Sequence, residues 1–429
     1  MNFRELHRNL KLRIGVGFFQ RFFDIMLVPL MVIHFAHLYG AATAGLMTLL
    51  VAAATVLCNL VGGHLSDVYG RRRVLLLGEI GVGLSYAGLA LVNSPLLHSG
   101  PATYLLYLSA TCMAGIALPA NEAMIVDVST PESRTTVYTI NYWVVNVAFM
   151  LGSLVGGLLY GGYFFQLLAG AAVATLGIFL VTWFALAETA PPEAAQNPRG
   201  VKSALVGYVS VARDRVFLRL ILAALLVWCV EVQISSSIAV RLGSHFPAQR
   251  LLSIGSWTVH VDGVNVLGIL RAVNTLLVVC CALWIGRLLG RFDQQLRMVV
   301  GVVVFTLGYM VWAVSSNAWV LIVAAFVVTF GEITSLPVNQ ALLADLVPAD
   351  SRTKYMAAYG LHVRLGYLVG SLSVILSAVV PSWVMAVLFA AFGAGAIHLY
   401  RFLFRVQQDR AAQAAAQVVG ADVKTGVAA

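Results

Sequence analysis

The residues of this chain that could do chemistry are charges embedded in apolar sequence. Arg21 and Asp24 lie in the first long apolar stretch, Glu79 in the third, and Glu122 and Asp127 in the fourth. Glu231 lies in the seventh, Arg271 in the eighth, Glu332 in the tenth, and His362 with Arg364 in the eleventh. A charge at membrane depth costs about 2.5–3.5 kcal/mol or more, so each needs a reason to be there: a counter-charge, a substrate or a proton to carry. Arg21 and Asp24 are three residues apart and share a helical face, so they either neutralise each other or serve a substrate or proton. Glu332 sits near the middle of its stretch. Burial there penalises the ionised carboxylate, so a neutral, protonated Glu332 could alternate with a charged, substrate-engaging one. Glu231 and Glu122 are secondary candidates for the same proton chemistry, as is Asp24. Arg271 and Arg364 are either counter-charges to these acids or anion-attracting groups, and spacing alone does not pair them.

The elements that must position these groups follow from composition. The 429 residues are 60% hydrophobic and 10% charged, far from the roughly 25% charged usage of soluble domains. A membrane helix needs about 20 mainly apolar residues. Such stretches are expected at 14–35, 44–65, 74–93, 102–126, 136–160, 164–186, 217–240, 265–288, 298–315, 319–344, 355–379 and 382–404. The fold class expected is therefore an all-α membrane protein with 12 transmembrane helices in two pseudo-symmetric six-helix bundles.

The net charge of +9 does not point to nucleic acid, because the basic residues are placed by topology. Arg241 and Arg250 fall in loops on one side and Arg21, Arg271 and Arg364 inside helices, while the rest, including Arg4, Arg8, Lys11, Arg13 and Arg71 to Arg73, fall on the other. This positive-inside bias puts both termini in the cytoplasm of a cell (inner) membrane protein. The first stretch is too long for a signal-peptide core and reads as a retained helix.

The halves repeat. Leu-Pro-Ala-Asn-Glu-Ala-Met-Ile-Val-Asp from Leu118 returns as Leu-Pro-Val-Asn-Gln-Ala-Leu-Leu-Ala-Asp from Leu336, an offset of 218 residues that also pairs Ser133-Arg134-Thr135 with Ser351-Arg352-Thr353. Parallel repeats of this kind suit alternating access around a central site. Asp127 and Asp345 are then mates, each seven residues before an arginine (Arg134, Arg352), and read either as gate partners for basic loops or as proton carriers. Glu332 falls opposite Ala114, which favours a specialised role. The expected domains are a first bundle over 1–187, a cytoplasmic linker over 188–215, a second bundle over 216–405 and a tail over 406–429, either frayed helix or disordered. Alternation around Asp262-Gly263 reads as a small hairpin. All five cysteines lie in expected helices and form no disulfide framework or metal site.

Gly63-His64-Leu65-Ser66-Asp67-Val68-Tyr69-Gly70-Arg71-Arg72-Arg73 follows the second stretch. Its glycines permit a tight turn and close helix approach, and an acid beside a basic cluster can hold one face closed. The alternative is that Arg71, Arg72 and Arg73 only anchor topology. The loop resembles the signature of the major facilitator superfamily, which implies a gating role for Gly63, Asp67, Gly70 and the three arginines. Asn9 to Arg13, and Asn121 to Asp127 leading to Asn141-Tyr142-Trp143, resemble the drug:proton antiporter-1 group. That resemblance implies export of lipophilic, often cationic compounds in exchange for protons. Asp67, Asp127 and Glu332 stand where the group has acids, whereas Asn141 replaces one. The run from Gly152 to Gly157 looks like the group's antiporter motif without its proline, and close packing explains it equally well.

Arg21, Phe22, Asn141, Trp143, Asn146, Trp228, Arg271, Tyr359 and Arg364 are candidate substrate contacts, while any single aromatic also reads as a packing or lipid-facing residue. No GxxxxGK[ST] loop, HExxH or metal cluster occurs, so no cofactor and no enzymatic role are expected. The reading is a monomeric, proton-coupled efflux transporter for a lipophilic small molecule, with the lipid bilayer and protons as its other partners. Alternatives are a carrier for one specific sugar, peptide or organic anion, and a non-transporting membrane sensor or lipid-handling protein.

Overall fold

In hydrocarbon each backbone N–H and C=O must be satisfied within the segment, which leaves the helix as the element for apolar stretches of this length. The computed structural model describes residues 8–128, 131–188, 213–254, 257–347 and 352–426. In chain order the elements are α1 (Arg8–Tyr39), α2 (Ala41–Tyr69), α3 (Arg71–Val92), strands β1 (Asn93–Ser94) and β2 (Leu97–His98), α4 (Gly100–Val128) and α5 (Pro131–Ala185). The second half follows with α6 (Arg215–Glu231), a 3-10 turn (Val232–Ser235), α7 (Ser237–His245), β3 (Gln249–Ile254), β4 (Trp257–Val261), α8 (Gly263–Leu289) and α9 (Gln294–Val314). It ends with α10 (Ala318–Leu346), α11 (Arg352–Tyr359), α12 (Leu361–Ser377) and α13 (Ser382–Gly426).

Among the described residues, ten helices are long and apolar enough to cross a membrane. One of them, Trp143–Ala185, is 43 residues, about twice the length a single span needs. Its helical geometry breaks at Tyr163 (φ −131°, ψ 29°), between the stretches expected at 136–160 and 164–186. The stretch expected at 355–379 is divided between α11 and α12, whose apolar part is 17 residues. The tail continues α13 as helix to Gly426.

The internal repeat is visible in the elements. Helices α4 and α10 are both 29 residues and carry an interior proline, Pro119 and Pro337. Adding the 218-residue offset to Gly100 and Val128 lands on Ala318 and Leu346, the bounds of α10. A proline inside a helix removes one ladder hydrogen bond, so the shared position gives both halves a weak point at the same depth.

The apolar core is one cluster at one end of the molecule and two at the other. Away from the basic loops, Met26–Phe35 of α1, Leu167–Ala172 of α5, Ile234–Leu242, Val264–Leu270 of α8 and Val374 of α12 share a single cluster spanning both halves. Towards the end bearing Arg71–Arg73 the core divides into Val74, Leu75, Ala117, Ala120 and Met124 in the first half and Phe217, Leu220, Leu342, Tyr400 and Leu403 in the second. The molecule is thus sealed at one end and split at the other.

The seal depends on small residues. A Cβ on Gly157 of α5 would lie 2.7 Å from Cα of Gly268 on α8, and one on Gly268 would lie 2.6 Å from the Ser153 carbonyl oxygen. Only glycine on both sides lets these backbones meet. Asn265 Nδ2 donates to the Gly157 carbonyl at 2.8 Å, and His37 Nε2 donates to the Gly243 carbonyl at 3.1 Å, joining α1 to α7.

One expectation is corrected. The hairpin exists, but β3 pairs with β4 through Ile254↔Trp257, with residues 255–256 between them. Asp262-Gly263 instead starts α8: Asp262 Oδ1 accepts from Asn265 N (2.8 Å), and Asp262 N donates to Asn265 Oδ1 (3.0 Å). That reciprocal pair satisfies N-terminal donors. Arg13, placed by the sequence on the side of the basic loops, is buried in α1, its Nη1 donating to Glu79 Oε1 of α3 at 3.4 Å, with side chains 2% and 1% exposed. Its Nη2 donates to Asn121 Oδ1 of α4, and Gln20 Nε2 donates to Glu79 Oε1 at 3.2 Å.

Removing one partner of a buried pair leaves an uncompensated charge, typically at about 3–5 kcal/mol. Glu79→Ala is expected to lower the unfolding temperature in detergent by several degrees, whereas Arg13→Met with Glu79→Met recovers most of the loss. Equal stability of Glu79→Ala and the parent would show that the pair holds nothing together. At the sealed end, Gly157→Leu should part α5 from α8. A cysteine at position 265, in a background without the native cysteines, should then react several-fold faster with a hydrophilic maleimide, and unchanged labelling would argue against the glycine seam.

Candidate functional site

Two groups of charges flank the central region, one per half. In the first half, a cavity of about 690 Å³ is lined by Arg13, Gln20, Glu79 and Asn121 of the network above, with Arg21 and Asp24 of α1 and Glu122 of α4. Phe23 and Tyr86 supply apolar wall, and Met356 of α11 reaches it from the second half. Arg21 and Glu122 are exposed and Asp24 is half-buried. Arg21 acts electrostatically on Asp24, as their shared helix face predicts. Among the described residues, the buried Nε of Arg13 and Oε2 of Glu79 have no hydrogen-bond partner. The network binds α1 to α3 and α4 with both charges internal, which partly offsets their desolvation.

In the second half Glu231, Arg271 and Glu332 come together from α6, α8 and α10. Glu231 interacts electrostatically with both Glu332 and Arg271. Arg271 donates to the Ser235 hydroxyl. Asn274, one turn further along α8, donates from Nδ2 to Glu332 Oε2 at 2.9 Å and to Thr329 Oγ1 at 3.0 Å. Tyr309 Oη donates to the Glu231 carbonyl at 3.1 Å, a carbonyl at the point where α6 gives way to the 3-10 turn. The break is held by Gln233, fully buried, whose Nε2 donates to Cys229 O (2.8 Å) and Ser373 Oγ (3.0 Å) and whose Oε1 accepts from Ser237 Oγ (2.7 Å). Two carboxylates around one guanidinium carry a net charge of −1, which a proton or another monovalent cation can balance.

The basic loop is built as a clamp. Gly70 joins α2 to α3 with φ +91° and ψ 150°, a conformation open to glycine almost alone. The turn leaves the first amides of α3 free, and those of Arg71 and Arg72 donate to Glu188 Oε1 (3.2 Å) and Oε2 (3.1 Å), an anion at a helix N-terminus. Arg72 returns the arrangement at the end of α5, donating from Nε to Leu186 O (2.7 Å) and from Nη2 to Trp183 O (2.5 Å). Arg73 is exposed, and Gly63 faces Pro119 of α4 with a Cβ position 3.9 Å away. The side chains of Asp67, Asp127, Arg134, Asn141 and Arg352 lie outside the described residues. Asp345 is exposed and accepts from Gln407 Nε2 of α13 at 2.8 Å.

The remaining expected contacts are dispersed. Phe22 packs between Phe18 and Phe23 (ring centroids 6.3 and 5.0 Å). Trp143 is exposed, and Asn146 and Arg364 are half-buried. Trp228 packs edge-on to Tyr367 and His362. Tyr359 lies in the second-half core with its hydroxyl accepting from Asn339 Nδ2 at 2.7 Å. Sequence reasoning missed Arg13, Gln20, Asn121 and Asn274 as site residues and left Glu79 unassigned. A polar residue one helical turn from an embedded charge, as Asn274 is from Arg271, is the signal that finds the last.

Comparison with known proteins agrees with this architecture. The family model described as Major Facilitator Superfamily matches residues 14–261 and 257–425. The chain is 29% identical over 387 residues, 88% of its length and 91% of the relative's, to a "Na(+), Li(+), K(+)/H(+) antiporter" of Planococcus maritimus. It is 26% identical over 345 residues, 78% of its length and 79% of the relative's, to the "Tetracycline resistance protein, class C" of Escherichia coli. In fold it is similar to the crystal structure of a POT family transporter in complex with 5-aminolevulinic acid, with a TM-score of 0.73 over 94% of this chain and 96% of the other at 14% identity. Sealed at one end and split at the other, with a group of charges in each of two related halves, the chain is a multi-pass membrane transporter that belongs to the Major Facilitator Superfamily.

Proposed function

We propose that the protein is a proton-coupled antiporter of the cell (inner) membrane that exports a lipophilic small molecule by alternating access. The observation that carries this reading is the convergence of Glu231, Arg271 and Glu332 from three helices. Ionised together, the two acids repel each other in a medium of low dielectric, and one guanidinium balances only one of them. A proton taken up there relieves the imbalance and one released restores it, so occupancy alters how tightly α6, α8 and α10 hold together. With both termini cytoplasmic, the split end faces the cytoplasm and the structure is the inward-open state. Its first-half cavity then receives substrate from the cytoplasm or the inner leaflet, and closure of the split end precedes opening of the glycine seam. The bundles 1–187 and 216–405 act as the moving bodies, with 188–215 and 406–429 on the cytoplasmic side. The Gly63–Arg73 loop acts with Asp127, Arg134, Asp345 and Arg352 as the cytoplasmic gate. Antiport and drug resistance are named for two relatives, which supports exchange over uptake.

A second reading is exchange of an alkali cation for protons. The Planococcus relative is named for that activity, and a net charge of −1 beside the backbone break at Val232–Ser235 suits a monovalent cation as well as a proton.

In proteoliposomes, Glu332→Gln is expected to abolish pH-gradient-driven accumulation of a lipophilic dye, a fall of at least tenfold, while dye binding stays within about threefold. Unaltered driven transport would remove Glu332 from the coupling step. Asn274→Ala deletes a hydrogen bond to a charged group, worth about 1.5–3 kcal/mol, and should slow driven transport roughly tenfold. The two readings part when the dye is replaced by Na+, K+ or Li+: proton efflux on adding the salt alone supports alkali-cation exchange, and efflux only with the dye supports drug export.

A further inference from the structure

Towards the end bearing Arg71–Arg73 the halves part, and one side chain spans the division. Of the described residues that line the first-half cavity, Met356 alone comes from the second half. It stands on α11, a helix of eight residues that Gly360 separates from α12. One face of α11 is tied to its own half. Tyr355 Oη donates to Asp214 Oδ2 at 3.2 Å, and the Tyr355 ring lies edge-on to Phe217 of α6 with centroids 4.6 Å apart. Ala358 and Tyr359 are buried in the second-half core, where the Tyr359 hydroxyl accepts from Asn339 Nδ2 and Asn339 Oδ1 accepts from Tyr400 Oη at 3.0 Å. Met356 is about 100° round the helix from Tyr355, at the edge of that anchored face. Its carbonyl accepts from Gly360 N at 3.0 Å, so its backbone is held, while its side chain is 46% exposed. A fixed helix of one half thus presents a free thioether to the cavity of the other.

We infer that Met356 is a specificity-determining residue, the second half's contact with a lipophile seated in the first-half cavity. This rests on the export reading above. At about 690 Å³ the cavity is of a size that holds a small molecule. The charged and amide groups that line it, and the aromatic wall of Phe23 and Tyr86, all belong to the first half. Met356 adds apolar surface from the facing half. A methionine side chain is unbranched, turns about three bonds and carries a polarisable sulfur that packs well against aromatic rings. An aromatic cargo lying on Phe23 and Tyr86 therefore meets a partner that reshapes to its outline, and flat and bulky cargoes are both accepted. A rigid side chain at the same place would admit one shape and exclude another.

Two measurements test this, with bulky tetraphenylphosphonium and flat ethidium as probes. In the first, Met356→Cys in a background without the native cysteines is labelled with a hydrophilic maleimide on purified protein. Saturating tetraphenylphosphonium is expected to slow labelling at least threefold, and an unchanged rate overturns the inference whatever transport shows. In the second, pH-driven uptake in proteoliposomes is compared for wild type, Met356→Ala, Met356→Leu and Met356→Phe. Met356→Ala should raise KM for both probes about fivefold with the maximal rate within about twofold, the mark of lost binding and not of lost turnover. Met356→Leu, close in volume, should stay within about twofold of wild type. Met356→Phe should raise KM for tetraphenylphosphonium at least threefold more than for ethidium. An unchanged KM in Met356→Ala, or a ratio between the probes that no variant moves, removes the role. Glu332→Gln, run in parallel, separates the two levels. If it abolishes driven uptake while Met356→Cys is not protected, the export reading stands and the role of Met356 falls alone. If wild type accumulates neither probe, both fall.

Discussion

The dielectric of the bilayer is the constraint on which this structure depends. A charge held in hydrocarbon must be neutralised, bonded or put to use, and several of the embedded charges are met by a group from another helix or a neighbouring turn. Arg13 meets Glu79 and Asn121, Glu332 meets Asn274, Arg271 meets Ser235, and Arg241 is absorbed by the carbonyls of Trp312 and Ser315 at the end of α9. These contacts are also what orders the helices, since apolar side chains have little reason to prefer each other over lipid tails.

Each half uses the constraint differently. The Arg13–Glu79 pair is internally balanced and fixes α1 to α3 and α4, so it serves as scaffold beside the cavity. Glu231, Arg271 and Glu332 are unbalanced by one charge, and Glu231 stands where α6 gives way to the 3-10 turn. Two halves that touch through glycine at one end and part at the other have the geometry that rocking about that contact requires. A gap between packed bundles has few stable intermediate widths, which suits a two-state device.

Much of the architecture was legible from residue order. The apolar stretches set where helices run, and the Leu118/Leu336 repeat anticipated that α4 and α10 share length and proline position. Glu231 and Glu332, singled out as embedded acids, come together with Arg271, and Gly70 marked the turn before Arg71. The hairpin was misplaced because Asp262-Gly263 fits a turn and a helix start equally well, and the hydrogen bonds to Asn265 decide between them. The partner of Arg13 was not legible, because Glu79, sixty-six residues on, faces it only in the fold.

Sequence by itself determined the solvent this chain lives in, the rough position of its apolar stretches, its duplication and the identity of its costly charges, because each depends on local composition or internal comparison. Only tertiary structure decided which charges are partners and which end is sealed. Those properties are set by contacts between residues tens to hundreds of positions apart, and no local period or propensity encodes the distance between Glu231 and Glu332 or the meeting of Gly157 with Gly268.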